Sequence, residues 1–252
     1  MSAPRVALLV TCLVDMFRPS VGFATVKLLE DAGCTVEVPQ RQTCCGQPAW
    51  NSGDREHAKA LAAQVIEEFE GFDYVVAPSG SCAATVVKDY AEMFKGDEAM
   101  VARAKALAAK THEITSFLTD VLGISDVKQA LTTSVTYHDS CSGLRSLGVS
   151  EQPRKLLGSV EGLELREMVE NDVCCGFGGT FCVKFPDVSN SMVSDKTRNI
   201  ADTGADMVLA GDLGCLMNMA GKASREGRTF KARHVVEILA GDTKTPAIGE
   251  DK

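Results

Sequence analysis

The chain has 252 residues, a formal net charge of -8, and 45% hydrophobic and 24% charged residues, a balance that suits a globular protein with one large or two small cores. Its acidic balance and the lack of a basic block argue against nucleic acid or an anionic membrane surface as a partner. Ten cysteines are the anomaly, and without an export signal they point to metal ligands or reactive thiols rather than disulfides.

The apolar run Val6 to Val10 is too short for a signal peptide or a membrane span. It predicts a buried first strand that ends at Cys12. SVGFATVKLLEDAG predicts a helix closed by glycine, and CTVEVP a second strand. After Cys44-Cys45-Gly46 comes a long helical pattern, capped at Ser52 or Asp54, with apolar residues at Ala58, Leu61, Val65 and Phe69. DYVVAPSGSC predicts a third strand turning into Cys82, and CAATVVKDYAEMF a helix. A charged, alanine-rich helix is expected around Asp97 to Lys110, followed by a short strand and helix in KTHEITSFLTDVL.

The order then repeats. SVTYHDSC predicts a strand ending at Cys141, EQPRKLLGSVEG a helix and LELREM a strand. Cys174-Cys175-Gly176 follows, then the weaker helical pattern FPDVSNSMVSDKTRNIADTG. ADMVLAGDLGC is the next strand, CLMNMAGKASREG the next helix, and KARHVVEILAG a closing strand and helix. Cys12, Cys44, Cys45 and Cys82 match Cys141, Cys174, Cys175 and Cys215 at offsets of 129, 130, 130 and 133 residues. An internal repeat fixes the architecture. The expected fold is α/β, with two tandem pseudo-symmetric repeats at residues 1–130 and 131–252, each a small, mainly parallel sheet flanked by helices. The boundary near 125–134 carries no Pro- or Ser-rich linker. Parallel sheets bind ligands at the carboxyl ends of their strands, which is where these cysteines fall.

Adjacent thiols suit neither a disulfide, whose Cα atoms are usually about 4.4–6.8 Å apart, nor two ligands of one tetrahedral zinc, which favours CxxC-type spacing. They can reach two metal atoms of a cluster. The following glycine lets backbone approach the metal, and Gly176, Gly178 and Gly179 leave N–H groups free to face sulfur. Buried structural cysteines in glycine turns are the plainer alternative, but the doubled motif in register argues against it.

On CCGQPAWNSG, PSGSC, YHDSC, CCGFGGTF and GCLMN, the chain resembles the cysteine-rich CCG domain family. That domain occurs in heterodisulfide reductase and in the iron–sulfur components of glycolate and glycerol-3-phosphate dehydrogenases. Within it, the chain is most similar to the lactate-utilisation A family (LutA or YkgE-type), over nearly its whole length. The resemblance implies a cytoplasmic iron–sulfur component of L-lactate oxidation, passing electrons toward the respiratory chain with LutB- and LutC-like sister proteins. It implies one or two clusters of 4Fe–4S type, with zinc in one site as an alternative, held by Cys12, Cys44, Cys45, Cys82, Cys141, Cys174, Cys175 and Cys215. The fuller family pattern ends in Cys-x-x-Cys. Here Ser79 and Asp212 stand at its first position, so each half keeps four cysteines, the usual number for a 4Fe–4S centre. Both residues read as turn or cap residues, with oxygen ligation the alternative. A disulfide-reducing enzyme and a zinc-holding structural subunit are the competing functions.

Cys34 reads as a small buried residue, and Cys182 lies outside the repeat as a spare ligand or a plain thiol. His138, three residues before Cys141, reads as a core histidine, a hydrogen-bond donor to a cluster or a ligand. Trp50 shields a cluster or simply packs. His57, His112 and His234 show no ligand spacing, and no GxGxxG, P-loop or GxSxG motif suggests a separate nucleotide or esterase site.

Overall fold

The computed structural model describes residues 3–250. In the first half, β1 (Arg5–Leu8) leads into α1 (Cys12–Phe17) and α2 (Pro19–Asp31), then β2 (Thr35–Glu37), α3 (Gln47–Asn51) and α4 (Arg55–Phe69). Next come β3 (Tyr74–Ala77), α5 (Gly80–Ala84), a π-turn, α6 (Tyr90–Met93), α7 (Glu98–Ala108), β4 (Thr111–Glu113) and α8 (Ile114–Ser116). The second half runs β5 (Ala130–His138), α9 (Cys141–Leu147), α10 (Glu151–Leu157), β6 (Glu161–Leu165), α11 (Phe181–Lys184) and α12 (Pro186–Asp202). It closes with β7 (Met207–Ala210), α13 (Leu213–Arg225), β8 (Lys231–His234) and α14 (Val235–Leu239).

Each half forms a four-stranded sheet, ordered β2-β1-β3-β4 and β6-β5-β7-β8. Every pair is parallel, as the alternation of strands and helices requires. In both sheets the strand order reverses beside the first strand of the half. That leaves a crevice between β1 and β3, and between β5 and β7, at the carboxyl ends. Among the described residues no helix is long and apolar enough to cross a membrane.

Local chemistry explains where elements start and stop. Asp54, not Ser52, caps α4 by accepting from the His57 N–H. Asp97 caps α7 in the same way through Met100. The expected single helix after Cys82 is interrupted by a π-turn at Thr85–Asp89, where the Thr85 hydroxyl donates to the Ser81 carbonyl at 3.0 Å. Such back-bonding competes with the regular helical ladder. The pattern FPDVSNSMVSDKTRNIADTG makes α12, 17 residues long with Pro186 at its first position.

Three cores hold the molecule. An inner core joins the halves: Val6, Val76, Ile114 and Phe117 of the first pack with Val135, Tyr137, Leu209 and Val236 of the second. Two outer cores lie under α4 to α7 and under α12 and α13. The inner seam is also polar. Arg18 binds Glu237 with both arms, at 2.8 and 3.0 Å, and Ser20 donates to the same carboxylate at 2.7 Å. The His234 Nε2 meets the Pro78 carbonyl at 3.1 Å.

The halves touch most closely at α5 and α9. A Cβ placed on Gly80 would lie 2.8 Å from the Gly143 Cα and 3.2 Å from its nitrogen. Backbone cannot swing aside as a side-chain tip can. Gly80→Ala is therefore expected to force the seam apart and destabilise the chain by about 1–3 kcal/mol. Urea unfolding should show a lower midpoint; an unchanged midpoint would mean that the helices are not held this close.

Candidate metal centre

Both crevices face the seam between the halves, and the repeated cysteines meet there. Cys12 opens α1 just after β1, and Cys82 lies in α5 just after β3. Cys44 and Cys45 come from the loop before α3. Cys141 opens α9, Cys215 lies in the first turn of α13, and Cys174 and Cys175 come from the loop before α11. A cavity of about 350 Å³ is lined by Cys12, Cys44, Cys45 and Cys82 from one half and by Cys141 and Cys215 from the other. The Cys12 and Cys44 Sγ atoms are 3.8 Å apart. Cys45 is in hydrogen-bond contact with Cys44 and Cys82, Cys174 with Cys141 and Cys175, and Cys175 also with Cys215.

The cysteine pairs are shaped by their glycines. Gly46 and Gly176 hold φ of 85° and 83°, backbone that suits a residue without Cβ. A Cβ on Gly46 would lie 3.3 Å from the Ala58 carbonyl oxygen, and one on Gly176 only 2.8 Å from that of Ser189. This turn aims backbone N–H groups at sulfur: the Gly176 N–H donates to the Cys174 Sγ at 3.4 Å, and that of Gly46 faces Cys44. Thr11, beside Cys12, sits at φ 73° and ψ 143°. A β-branched residue rarely adopts that conformation, and backbone strain of this kind gathers at functional sites.

Crowding sulfur away from water sets the thiol chemistry. Cys44 is the thiolate of its set: hydrogen bonds from Cys12 and Cys45 and the Gly46 N–H hold its pKa far below the usual thiol value. The hydrogen bond to Cys44, together with burial, pushes Cys12 up. Cys45 rises through its bonds to Cys44 and Cys82 and through burial. Cys141 is raised chiefly by its bond to Cys174. At Cys175 a bond to Cys174 pulls down, but Cys215 and burial outweigh it. Cys215 is favoured by Cys175 but ends raised by burial and by the charge of Asp212.

The surrounding residues differ between the halves. Asp212 sits at the start of α13 but caps nothing there. Its buried carboxylate crosses the seam, accepting from the Ser79 Oγ at 2.6 Å, the Ser81 Oγ at 2.7 Å and the Ser81 N–H at 3.2 Å. Ser79 caps its own helix α5 through the Cys82 N–H. In the second half the loop before Cys174 is pinned from two sides. The His138 ring and the Asp139 N–H both engage the Asn171 carbonyl at 3.1 Å. The Lys196 ammonium, 2% exposed, donates to the carbonyl of Glu170, a residue at φ 57°. Burial pulls the Lys196 pKa down, and the charge of Cys175 partly restores it.

The remaining residues fall outside this group. Cys34 is buried in the inner core. Cys182 points to the Gly179 carbonyl at 3.8 Å and does not line the cavity. Trp50 does not line it either; the Arg55 guanidinium covers its ring at 3.6 Å. His57 pairs with Asp54 on the surface, and His112 packs against Tyr74 and Phe117. His138 is fully buried, its pKa pushed down to about 3 by burial and by Lys196. Its Nε2 has no hydrogen-bond partner among the described residues. Motif spacing could not reveal the crossing of Asp212 or the buried Lys196. Setting the repeats side by side would have flagged Lys196, which matches Val65 on the buried face of α4, and His138, which matches Leu9.

Four sulfurs per half, N–H groups aimed at sulfur and an unpartnered buried imidazole nitrogen fit a thiolate-bound metal or cluster.

The chain matches the family model described as "Cysteine-rich domain" (CCG) twice, at residues 6–87 and 135–220. It is 47% identical to a lactate utilization protein A of Halalkalibacterium halodurans, over 96% of this chain and 98% of the relative. It is 48% identical to one from a Geobacillus species, over 93% and 98%. A lactate utilization protein A 2 of Bacillus cereus is 46% identical, over 94% and 98%. Among solved structures, a hypothetical protein from Helicobacter pylori shares the fold with a TM-score of 0.67 at 10% identity. All of this chain is covered there, and it spans 52% of that longer chain.

Because Cys12, Cys45, Cys141, Cys175 and Cys215 have raised pKa values, they are protonated at neutral pH in the metal-free protein. Metal needs thiolates, so binding releases protons. Affinity for zinc or cadmium is expected to rise with pH between 6 and 8, about tenfold per pH unit for each proton released. Competition titrations against a chromophoric chelator, with the chelator's own protonation corrected, measure the slope; a flat profile would show that the thiols are already ionised.

Proposed function

This chain belongs to the cysteine-rich CCG domain family, and from that membership we propose that it is an iron–sulfur electron-transfer component of L-lactate oxidation. The observation that carries the reading is that cysteines of both halves line one cavity, all four of the first set and Cys141 and Cys215 of the second, with Cys174 and Cys175 beside these two. The lactate role rests on the names of its relatives. A 4Fe–4S cluster supplies one-electron storage and transfer, so two such sites in one chain match a two-electron substrate.

In this reading Cys12, Cys44, Cys45 and Cys82 hold one centre, and Cys141, Cys174, Cys175 and Cys215 the other. The Gly46 and Gly176 turns bring N–H groups to sulfur and stabilise its negative charge. Leu13, Phe177 and Leu213 line the cavity between the sets and limit water there. Lys196 puts a buried positive charge near Cys174 and Cys175. The matching Val65 brings none, so the second centre is the better electron acceptor. LutB- and LutC-like sister proteins would carry the remaining steps, from lactate and toward the respiratory chain. A cytoplasmic location goes with this role.

A disulfide-reducing enzyme is less favoured. At the two positions where a further sulfur would be needed, Ser79 and Asp212 are bonded to each other. A zinc-holding subunit uses the same thiolates but leaves the doubled Cys-Cys pairs without a reason.

Deleting the gene is expected to abolish growth on L-lactate as sole carbon source and to spare growth on glucose. A copy with Cys44→Ser and Cys174→Ser should fail to restore growth, although the protein accumulates. Undiminished growth of the deletion strain on lactate would overturn the reading.

A further inference from the structure

We propose that His138 is a ligand of the metal centre held by the second cysteine site, its Nε2 binding beside Cys175 and Cys215. The proposal rests on the iron–sulfur reading above and goes beyond the cysteine set.

The geometry carries it. His138 ends β5, and its ring lies at the carboxyl edge of the second sheet. A ring nitrogen of His138 and the Sγ atoms of Cys175 and Cys215 lie within 4.8 Å of one another, close enough for an imidazole and two thiolates to serve one metal centre. The other ring nitrogen fixes the tautomer. Nδ1 faces the Asn171 carbonyl at 3.1 Å; a carbonyl only accepts, so Nδ1 carries the proton and Nε2 the lone pair. That is the arrangement of a metal-bound histidine, whose second nitrogen donates to a backbone carbonyl. Here the carbonyl belongs to the loop that carries Cys174 and Cys175, so the contact that orients the ring also positions the thiols.

The buried lone pair has no other partner. Nε2 is one of three buried side-chain N or O atoms without a hydrogen bond among the described residues. Leaving such an atom unpaired in a dry interior is costly. His234 shows what a satisfied buried histidine looks like in the same protein. Its Nε2 meets the Pro78 carbonyl and its Nδ1 accepts from the Val236 N–H. The repeat supplies a second contrast: the position matching His138 is Leu9, fully buried. The first half packs an aliphatic side chain where the second places an imidazole. The first site is thus an all-cysteine centre, and the second has a nitrogen ligand besides its thiolates.

The test uses the full chain, loaded anaerobically with iron and sulfide and then reduced. Pulsed EPR on protein grown with ordinary or [15N]histidine reads any nitrogen bound to the cluster. The proposal predicts a directly coordinated nitrogen coupling that changes isotope with the label and is lost in His138→Leu. Leucine at the matching position is already tolerated in this fold. If His138→Leu does not fold, the isotope comparison on the unmodified chain still decides. A reduced cluster signal with no coordinated histidine nitrogen overturns the proposal while leaving the iron–sulfur reading intact. A chain that takes up no iron overturns both.

Discussion

Asp212 ties the two halves together at the place where their cysteines meet. It stands at the head of a helix in one repeat and spends its carboxylate on Ser79 and Ser81 in the other. A carboxyl group out of water is tolerable only when its oxygens are well supplied with hydrogen bonds. These three donors, with the close approach of Gly80 and Gly143, keep the carboxyl edges of both sheets facing one cavity. If the seam opened, each half would still gather its own four cysteines. The two sets would no longer meet across the seam.

The fold repeats its backbone plan but not its chemistry. Both halves deliver one cysteine after each of two strands and a pair from a glycine turn. Around the second pair, however, a buried lysine and a buried histidine replace Val65 and Leu9. Both are costly to bury, and both pin the loop that bears Cys174 and Cys175. The difference between the two cysteine sites is built from side chains rather than from backbone.

The repeat itself was legible in the sequence, because cysteine spacing survives where other similarity has faded. So were the strands ending at Cys12 and Cys141, whose β-branched runs leave little choice of structure. A mainly parallel sheet in each half followed from alternating strands and helices and put a ligand at the carboxyl ends, whereas the strand order came only with the structure. The helix after Cys82 was legible only in part. Thr85 reads as an ordinary helical residue until its hydroxyl is seen to bond the Ser81 carbonyl. The role of Asp212 was beyond local reasoning, since its partners lie more than 130 positions away. Whether His138 was an ordinary core histidine depended on what its Nε2 met, and only packing could answer that.

The central claim is that both cysteine sets hold iron–sulfur centres. Its most direct measurement is the iron, acid-labile sulfide and zinc content of the full chain prepared without oxygen, with its visible spectrum. The account predicts a brown protein with about eight iron and eight sulfide per chain, as two 4Fe–4S centres require. A colourless protein carrying zinc alone, unchanged after reconstitution with iron and sulfide, would contradict it.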